Sequence, residues 1–165
     1  MTSATCTIQK MVDCAAVGIG QAAVASEPTR LTTILGSCIA VTIYSPQQRL
    51  GMLSHVVLPR ASGPTVHPAK FADTAVPHML STLKGHGARP GGLIAKITGG
   101  ACMFGDGKFM QIGDANIQAT IQALGEAGIR IVGQDVGGTL GRRVCFDLAT
   151  GSVTVEYRGL PTNTI

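Results

Sequence analysis

The residue in this sequence best suited to covalent chemistry is Cys38, which follows Gly36 and Ser37 at the end of an apolar segment. A glycine at this point permits a tight backbone turn that presents the next side chains at the end of a strand. His55 is the candidate partner, because a nearby imidazolium lowers the pKa of a thiol and provides thiolate at neutral pH. The pair predicts nucleophilic catalysis, with Cys38 as nucleophile and His55 as base.

Thr32 is the candidate third residue of the site. If residues 31–38 are extended, the two-residue period of a strand places Thr32, Gly36 and Cys38 on one face. The hydroxyl of Thr32 is then expected to orient the imidazole of His55. Thr33, one position further along, is the alternative and requires the opposite register.

Each of these residues also has a structural interpretation. Free cysteine is among the most buried residue types, and threonine favours strands on its own account. A histidine between apolar neighbours is commonly a satisfied structural residue. The remaining cysteines share the structural interpretation and lack a preceding glycine turn; they are Cys6, Cys14, Cys102 and Cys145. The residue types alone indicate catalysis without establishing it.

Short strands and two helices have to position these side chains. Apolar runs predict strands at 17–25, 31–35, 39–44, 50–58, 93–98, 129–136, 142–147 and 152–157, the third and fourth forming a hairpin. Helical spacing predicts one helix from about Asp73 to Gly85 and a second, capped by Asp114, that ends between Gly125 and Gly128. The predicted fold class is α/β: a single layered domain with a mostly antiparallel or mixed sheet and two main helices. Residues 1–16 are expected to be an N-terminal extension, and 17–165 the domain.

The composition is that of a globular protein. Hydrophobic residues make up 45% of the 165 residues and charged residues 13%, which excludes a disordered chain. Residues 1–20 lack the basic start and apolar core of a secretory signal, and no apolar run reaches membrane-spanning length. A cytoplasmic protein without membrane insertion is expected.

The cysteines, histidines and charges exclude further classes of function. Five cysteines lie far apart and no pair of the four histidines has the spacing of a structural zinc site, so neither metal nor other cofactor is expected. The net charge of +4 comes from scattered basic residues, and aromatics are only 4% of the chain. Nucleic-acid binding, which favours a basic stripe with stacking platforms, is therefore not expected.

Several ordered segments resemble the signatures of the CheD family of chemoreceptor glutamine deamidases. The resemblance runs from about residue 17 to residue 155, with Phe71 where the family usually has tyrosine. Its segments are Leu35-Gly36-Ser37-Cys38, 55–59, 70–75, 95–101, Met103-Phe104, Ile112-Gly113 with Asn116, and 135–138.

The resemblance implies a function and roles for the residues. It implies that Cys38 is the nucleophile and His55 the base, with Thr32 as the third residue by its distance from the cysteine. Backbone amides around Gly36, Ser37 and Ile39 are then expected to shape the site and hold an oxyanion. The implied reaction is hydrolysis of glutamine side chains to glutamate on the cytoplasmic helical domains of chemotaxis receptors, through a thioester on Cys38.

Two other functions remain open. The family also docks onto CheC-type phosphatases of CheY-phosphate, so a regulatory binding module is one alternative, although the retained Cys38 and His55 argue against it. A different cysteine acyl-transfer enzyme, such as a transglutaminase or an esterase, is the other, because an amine can resolve the same thioester and an ester can form it. The reaction product distinguishes these possibilities.

Overall fold

The structure, a computed structural model, describes residues 13–103, 105 and 110–165. Cys6, Phe104 and most of the predicted N-terminal extension lie outside the described residues. In chain order the strands are β1 Cys14–Ala16, β2 Ala22–Ser26, β3 Arg30–Leu35, β4 Ile39–Ser45, β5 Leu50–Val56, β6 Ile94–Gly99, β7 Arg130–Val136, β8 Arg142–Asp147, β9 Val153–Tyr157 and β10 Asn163–Thr164. The helices are α1 Ala72–Gly85 and α2 Met110–Glu126, and a short 3₁₀ helix, Pro68–Lys70, precedes α1.

The strands form two mixed sheets. The first sheet has the order β1-β3-β8-β9-β10 and the second the order β2-β5-β4-β6-β7. The pairs β1–β3 and β6–β7 are parallel, and the remaining pairs are antiparallel. The predicted hairpin is β4–β5, in which Ala40 pairs with His55 and Ile39 with Val56. Residues 14–16, the last of the predicted extension, form β1 beside β3.

Two hydrophobic clusters define three layers. One cluster fills the space between the two sheets and includes Leu31, Leu53 and Phe146, each almost fully buried. The other lies between the second sheet and the helices and includes Ile97 and Met79. The second sheet is therefore the middle layer. This arrangement confirms the predicted α/β class with two main helices, although its strands belong to two sheets rather than one.

The helix boundaries confirm one prediction and contradict another. Helix α1 spans Ala72–Gly85, close to the predicted range. The prediction that Asp114 caps the second helix is wrong, because α2 begins at Met110 and Asp114 lies inside it. Gly113, also inside this helix, allows close packing, since a Cβ there would lie 2.6 Å from the carbonyl oxygen of Gly100.

The chain crosses from the first sheet to the second between β3 and β4. Only Gly36, Ser37 and Cys38 separate the two strands, and they form a bend. Strand β5 lies next to β4 in the second sheet, so its His55 lies near this crossing. The fold therefore brings the candidate nucleophile and base to the same end of the two-sheet sandwich.

Candidate active site

Hydrogen bonds hold all three carbonyl groups of the turn Gly36-Ser37-Cys38. The amide of Ala101 donates to the oxygen of Gly36 at 2.9 Å, and the amide of Gly100 donates to the oxygen of Cys38 at 2.8 Å. The side-chain nitrogen of Asn116 donates to the oxygen of Ser37 at 3.1 Å. Residues 99–101 and helix α2 thus fix the turn through its carbonyl groups.

Peptide geometry then determines where the amides of the turn point. In a trans peptide the C=O of one residue and the N–H of the next lie in one plane and point in opposite directions. Because the carbonyls of Gly36 and Ser37 are bound by the loop and by α2, the N–H groups of Ser37 and Cys38 point away from those partners. Ile39 differs, since it is fully buried and already pairs with Val56 and Gly99 in the second sheet.

Glycine is required near the turn for space. Gly36 is not among the glycines with positive φ, so the expected special backbone conformation at this position is wrong. A Cβ on Gly36 would instead lie 2.6 Å from the sulfur of Met103, which covers the turn. At Gly99, where φ is +116°, a Cβ would collide with the carbonyl oxygen of Cys38. The end of β6 can therefore approach the nucleophile turn only as glycine.

His55 lies between the two sheets, close to the turn. Its ring is buried, with 2% of the residue exposed, and it faces the same side of the second sheet as Ala40, its partner in β4. Cys38 lies two residues before Ala40 and packs, half-buried, against the inter-sheet cluster. Cys38 therefore lies just before β4, on the inter-sheet side and beside the end of the strand that carries His55.

Thr33, and not Thr32, contacts His55. The hydroxyl oxygen of Thr33 lies 2.8 Å from Nδ1 of His55. Thr32 points to the other face of β3 and donates its hydroxyl to the carbonyl of Val144 at 2.8 Å. The expectation that Thr32 orients the imidazole is therefore wrong by one residue. The two-residue count fails because residues 36–38 form a bend, so the period of β3 does not continue to Cys38.

The threonine contact determines the tautomer of His55. The hydroxyl of Thr33 also lies 2.8 Å from the carbonyl oxygen of Val17, which can only accept a hydrogen bond. A hydroxyl has one proton to donate, and Thr33 donates it to Val17. Nδ1 of His55 must then carry a proton and donate it to Thr33. The other ring nitrogen, Nε2, is left with a lone pair and is the nitrogen able to accept a proton.

Burial favours the neutral forms of both candidate catalytic groups. It lowers the pKa of His55 below its ordinary value of 6.5, an effect that a backbone contact with Val17 opposes in part. It also raises the pKa of the Cys38 thiol above its ordinary value of 9.0. Burial thus disfavours the expected imidazolium that lowers the thiol pKa. The two directions favour general-base activation of Cys38 by His55 over a preformed thiolate.

An open groove of about 510 Å³ leads to the buried histidine. Two exposed isoleucines, Ile19 and Ile34, line it together with Arg143, and Thr33 and His55 lie among its inner residues. Cys38 does not line the groove. The groove therefore ends at His55 and Thr33 rather than at Cys38.

Comparisons with known proteins identify the family of this chain. The chain matches the sequence profile of the family described as "CheD chemotactic sensory transduction" over residues 57–157. It is 42% identical over 155 residues to the probable chemoreceptor glutamine deamidase CheD of Desulforamulus reducens, which covers 90% of this chain and 93% of that protein. The chain belongs to the CheD family. The resemblance described from the sequence is thereby confirmed.

Other CheD proteins from distant organisms give similar values. The chemoreceptor glutamine deamidase CheD of Thermotoga maritima is 41% identical over 144 residues, 87% of this chain and 91% of that protein. The probable chemoreceptor glutamine deamidase CheD of Methanococcus vannielii is 39% identical over 142 residues, 85% and 92% of the two chains. The family profile begins after His55, so that match does not depend on Cys38 or His55.

Asn116 is the residue of this CheD-family site whose role the sequence did not indicate. It was noted only as part of the resemblance, yet its side-chain nitrogen contacts Ser37 and, at 2.9 Å, the carbonyl of Val57. Its position in α2 carried a usable signal. Asn116 and Thr120 are polar residues one turn apart beside the apolar Ile117 and Leu124, and both are fully buried. Polar residues inside an apolar helix face are uncommon without a partner or a function.

Within the described ranges, three or more histidine, cysteine or acidic side chains do not come together in a way that could hold a metal ion. Neither of the helices described above is long and apolar enough to cross a membrane.

Proposed function

We propose that this chain hydrolyses the side-chain amide of specific glutamines in chemotaxis receptors, converting them to glutamate. Its CheD relatives are named chemoreceptor glutamine deamidases, which supports this reaction and substrate. The observation that carries the proposal is the contact of Thr33 with Nδ1 of His55, which leaves Nε2 as a proton acceptor near the Cys38 turn. The substrate regions are the cytoplasmic helical domains of the receptors, so the reaction takes place in the cytoplasm.

The first half of the reaction forms a thioester. The thiol of Cys38 gives its proton to Nε2 of His55, and the sulfur attacks the carboxamide carbon of the glutamine. The amide N–H groups of Ser37 and Cys38 stabilise the oxyanion of the tetrahedral intermediate. His55 then protonates the leaving nitrogen, the C–N bond breaks, and ammonia departs. Ile39 contributes packing below the turn, because its backbone is paired within the sheet.

The second half of the reaction hydrolyses the thioester. His55 takes a proton from a water molecule, whose oxygen attacks the thioester carbon. The same amides stabilise the second oxyanion. When the C–S bond breaks, the proton returns from His55 to sulfur, and glutamate and the free thiol are the products. Thr33 keeps the Nδ1 proton in place throughout, so that Nε2 carries every proton transfer.

The receptor helix lies along the groove beside His55, and its glutamine side chain extends beyond the groove to Cys38, which does not line it. The exposed side chains of Ile19 and Ile34 provide apolar contact on its two sides, with 74% and 67% of each residue exposed. Arg143 provides a positive charge at the same rim. A helix that presents its glutamine between small or apolar residues, with an acidic residue nearby, fits this surface.

The test is product analysis on receptor cytoplasmic domains. Incubation with the wild-type chain should convert particular glutamines to glutamate, as detected by mass spectrometry of peptides, and release ammonia. Cys38→Ala should lower the rate at least about 1,000-fold, because the covalent step is lost. Cys145→Ala is the matched control, since it removes another half-buried cysteine and should leave the rate unchanged.

Other products would identify another function. Attachment of an added amine to the glutamine instead of hydrolysis would indicate a transglutaminase. If the folded protein leaves every receptor domain tested unmodified, the deamidase proposal is contradicted. Equal activity in Cys38→Ala would contradict the assignment of the nucleophile.

A further inference from the structure

We propose that Asn116 is a positioning residue that orients the oxyanion-binding amide of Cys38. The residue lies in α2, outside the groups that exchange protons or form bonds in the proposed reaction. The inference rests on the proposed function in one respect: it requires that Cys38 reacts through a tetrahedral oxyanion.

The side chain of Asn116 joins the two parts of the site. Its nitrogen has two protons, and it donates to the carbonyl of Ser37 at 3.1 Å and to the carbonyl of Val57 at 2.9 Å. Ser37 directly precedes the nucleophile, and Val57 lies two residues after His55. One buried amide group therefore holds the nucleophile turn against the end of the histidine strand.

The bond to Ser37 controls the direction of one particular N–H group. The carbonyl of Ser37 and the amide of Cys38 belong to the same planar peptide and point in opposite directions. When Asn116 binds the carbonyl, the N–H of Cys38 is directed away from α2. The hydrogen bond to the carbonyl of Ser37 thus sets the position of the Cys38 N–H, which is the oxyanion donor.

This peptide differs from its neighbours in how it is held. Backbone amides of Ala101 and Gly100 bind the carbonyls of Gly36 and Cys38. Only the central carbonyl of the turn, that of Ser37, is held by a side chain among the described contacts. A substitution at Asn116 can therefore release the peptide that carries the Cys38 amide while the flanking peptides stay bound.

The unpaired oxygen of Asn116 supports a functional role. Asn116 is fully buried, and its Oδ1 has no hydrogen-bond partner among the described residues. A buried acceptor without a partner is unfavourable for folding, and an apolar side chain of the same size would avoid it. The two donors on the nitrogen give a reason for an amide at this position.

The experiment compares two reactions of the same thiol. Acetylation of Cys38 by p-nitrophenyl acetate passes through a tetrahedral oxyanion: the C–S bond forms, p-nitrophenolate leaves, and the thiol proton goes to His55. Alkylation by iodoacetamide displaces iodide directly and forms no oxyanion. Both rates are measured at Cys38 by peptide mapping in wild type, Asn116→Leu, Asn116→Ser and the control Thr120→Val. Thr120 is fully buried one turn further along α2, and its hydroxyl has no partner among the described residues.

We expect Asn116→Leu to lower the rate of acetylation about tenfold or more while alkylation changes less than about twofold, since loss of an oxyanion donor alone costs roughly 100-fold or more. Asn116→Ser should show the same split to a smaller degree, and Thr120→Val should show none. On a receptor substrate the loss should fall on kcat rather than on KM. The ratio of the two rates at one thiol cancels differences in thiol ionisation, and it is compared only between variants that circular dichroism shows to be folded.

Three results would overturn the proposal. The two rates could fall together in the Asn116 variants, the ratio could stay at its wild-type value, or both variants could fail to fold, which would make Asn116 a residue of the fold only. If the wild-type chain modifies no receptor but the Asn116 variants still show the split, the proposed substrate would be contradicted and the role of Asn116 supported. The two conclusions are thus separable.

Discussion

Cys38 and Cys145 have similar surroundings by the usual criteria of thiol reactivity, yet only one lies in a candidate active site. Both are half-buried, and burial raises the pKa of both thiols above the ordinary value of 9.0. Cys38 ends a turn between the two sheets and directly precedes β4, the strand that pairs with the His55 strand. Cys145 lies in the middle of β8, where its partners in the neighbouring strands are Thr32 and Thr154.

The difference between the two cysteines lies in their neighbours, since burial raises the pKa of both thiols. Near Cys38 there are a proton acceptor with a defined tautomer and a turn whose amides point away from its bound carbonyls. Around Cys145 the ionisable groups that influence the thiol are Cys14, Arg30, Asp147 and Glu156, and its backbone is paired on both sides. Thiol pKa alone would not separate the two. The nucleophile is distinguished by what can accept its proton.

Removal of the proton acceptor should have the largest effect on the difference between the two cysteines. His55→Gln should reduce deamidation about 100-fold to 10,000-fold, because a glutamine side chain cannot accept the thiol proton. It should also make Cys38 resemble Cys145 in its alkylation rate at neutral pH. Steady-state ammonia release and site-specific alkylation measure the two effects. Activity within a few-fold of wild type would mean that His55 is structural and does not account for the difference between Cys38 and Cys145.

The sequence predicted most of the elements and the closeness of the Cys38 turn to the His55 strand, because both depend on local patterns; the catalytic roles of the two residues stay predictions. Apolar alternation identified most of the strands, and the β4–β5 hairpin brought His55 to the nucleophile turn. The division of these strands into two sheets depends on pairings such as β3 with β8, which are distant in sequence and leave no local signal. The predicted start of the second helix failed for a similar reason, since the close approach of Gly113 to Gly100 is a tertiary contact.

The choice between the two threonines could have been made correctly from the sequence. Leu31 and Leu35 flank Thr33 at a spacing of two, and all three residues are buried on the inner face of β3. Counting in steps of two from these leucines identifies Thr33 as the inward-facing threonine. Counting in steps of two back from Cys38 crosses the bend at residues 36–38 and points to Thr32 instead. The tautomer of His55 could not have been predicted, because the carbonyl of Val17 comes from a separate segment.

A smaller effect is expected from the two threonines, each of which lies near one of the two cysteines. Thr33→Val removes the acceptor of the Nδ1 proton, so the wrong tautomer becomes populated and activity should fall about tenfold. The carbonyl of Val17 also loses its partner, which should lower the free energy of unfolding by about 1–3 kcal/mol. Thr32→Val, beside Cys145, is the matched control. It should cost about 1 kcal/mol through the lost bond to Val144 and leave activity unchanged.

Urea unfolding and deamidation rates of the two variants give both quantities. Equal activity loss in the two variants would indicate a general effect of destabilising β3. A loss confined to Thr32→Val would restore the register that was first expected and would require His55 to find a different partner during catalysis.

The smallest expected effect concerns the pH dependence of alkylation at the two cysteines. The lowered pKa of His55 means that its imidazole is neutral at pH 7 and becomes protonated only below its ordinary value of 6.5. The raised pKa of Cys38 means that its thiolate becomes the main form only above 9.0. The reaction of Cys38 with iodoacetamide should therefore rise with pH through the neutral range, as should that of Cys145. Cys38 should be a few-fold faster at neutral pH, since Nε2 of His55 accepts its proton during attack. His55→Gln should remove that advantage and leave the alkaline rise in the labelling rate of both cysteines in place.

Rates of labelling, measured by peptide mapping from about pH 5 to pH 9, test this description directly. A rate for Cys38 that stays constant between about pH 5 and pH 8, while Cys145 follows a normal thiol, would show a stable thiolate–imidazolium pair. In that case the two cysteines would differ in acidity after all, and His55 would act by its charge before the substrate arrives rather than by accepting a proton afterwards.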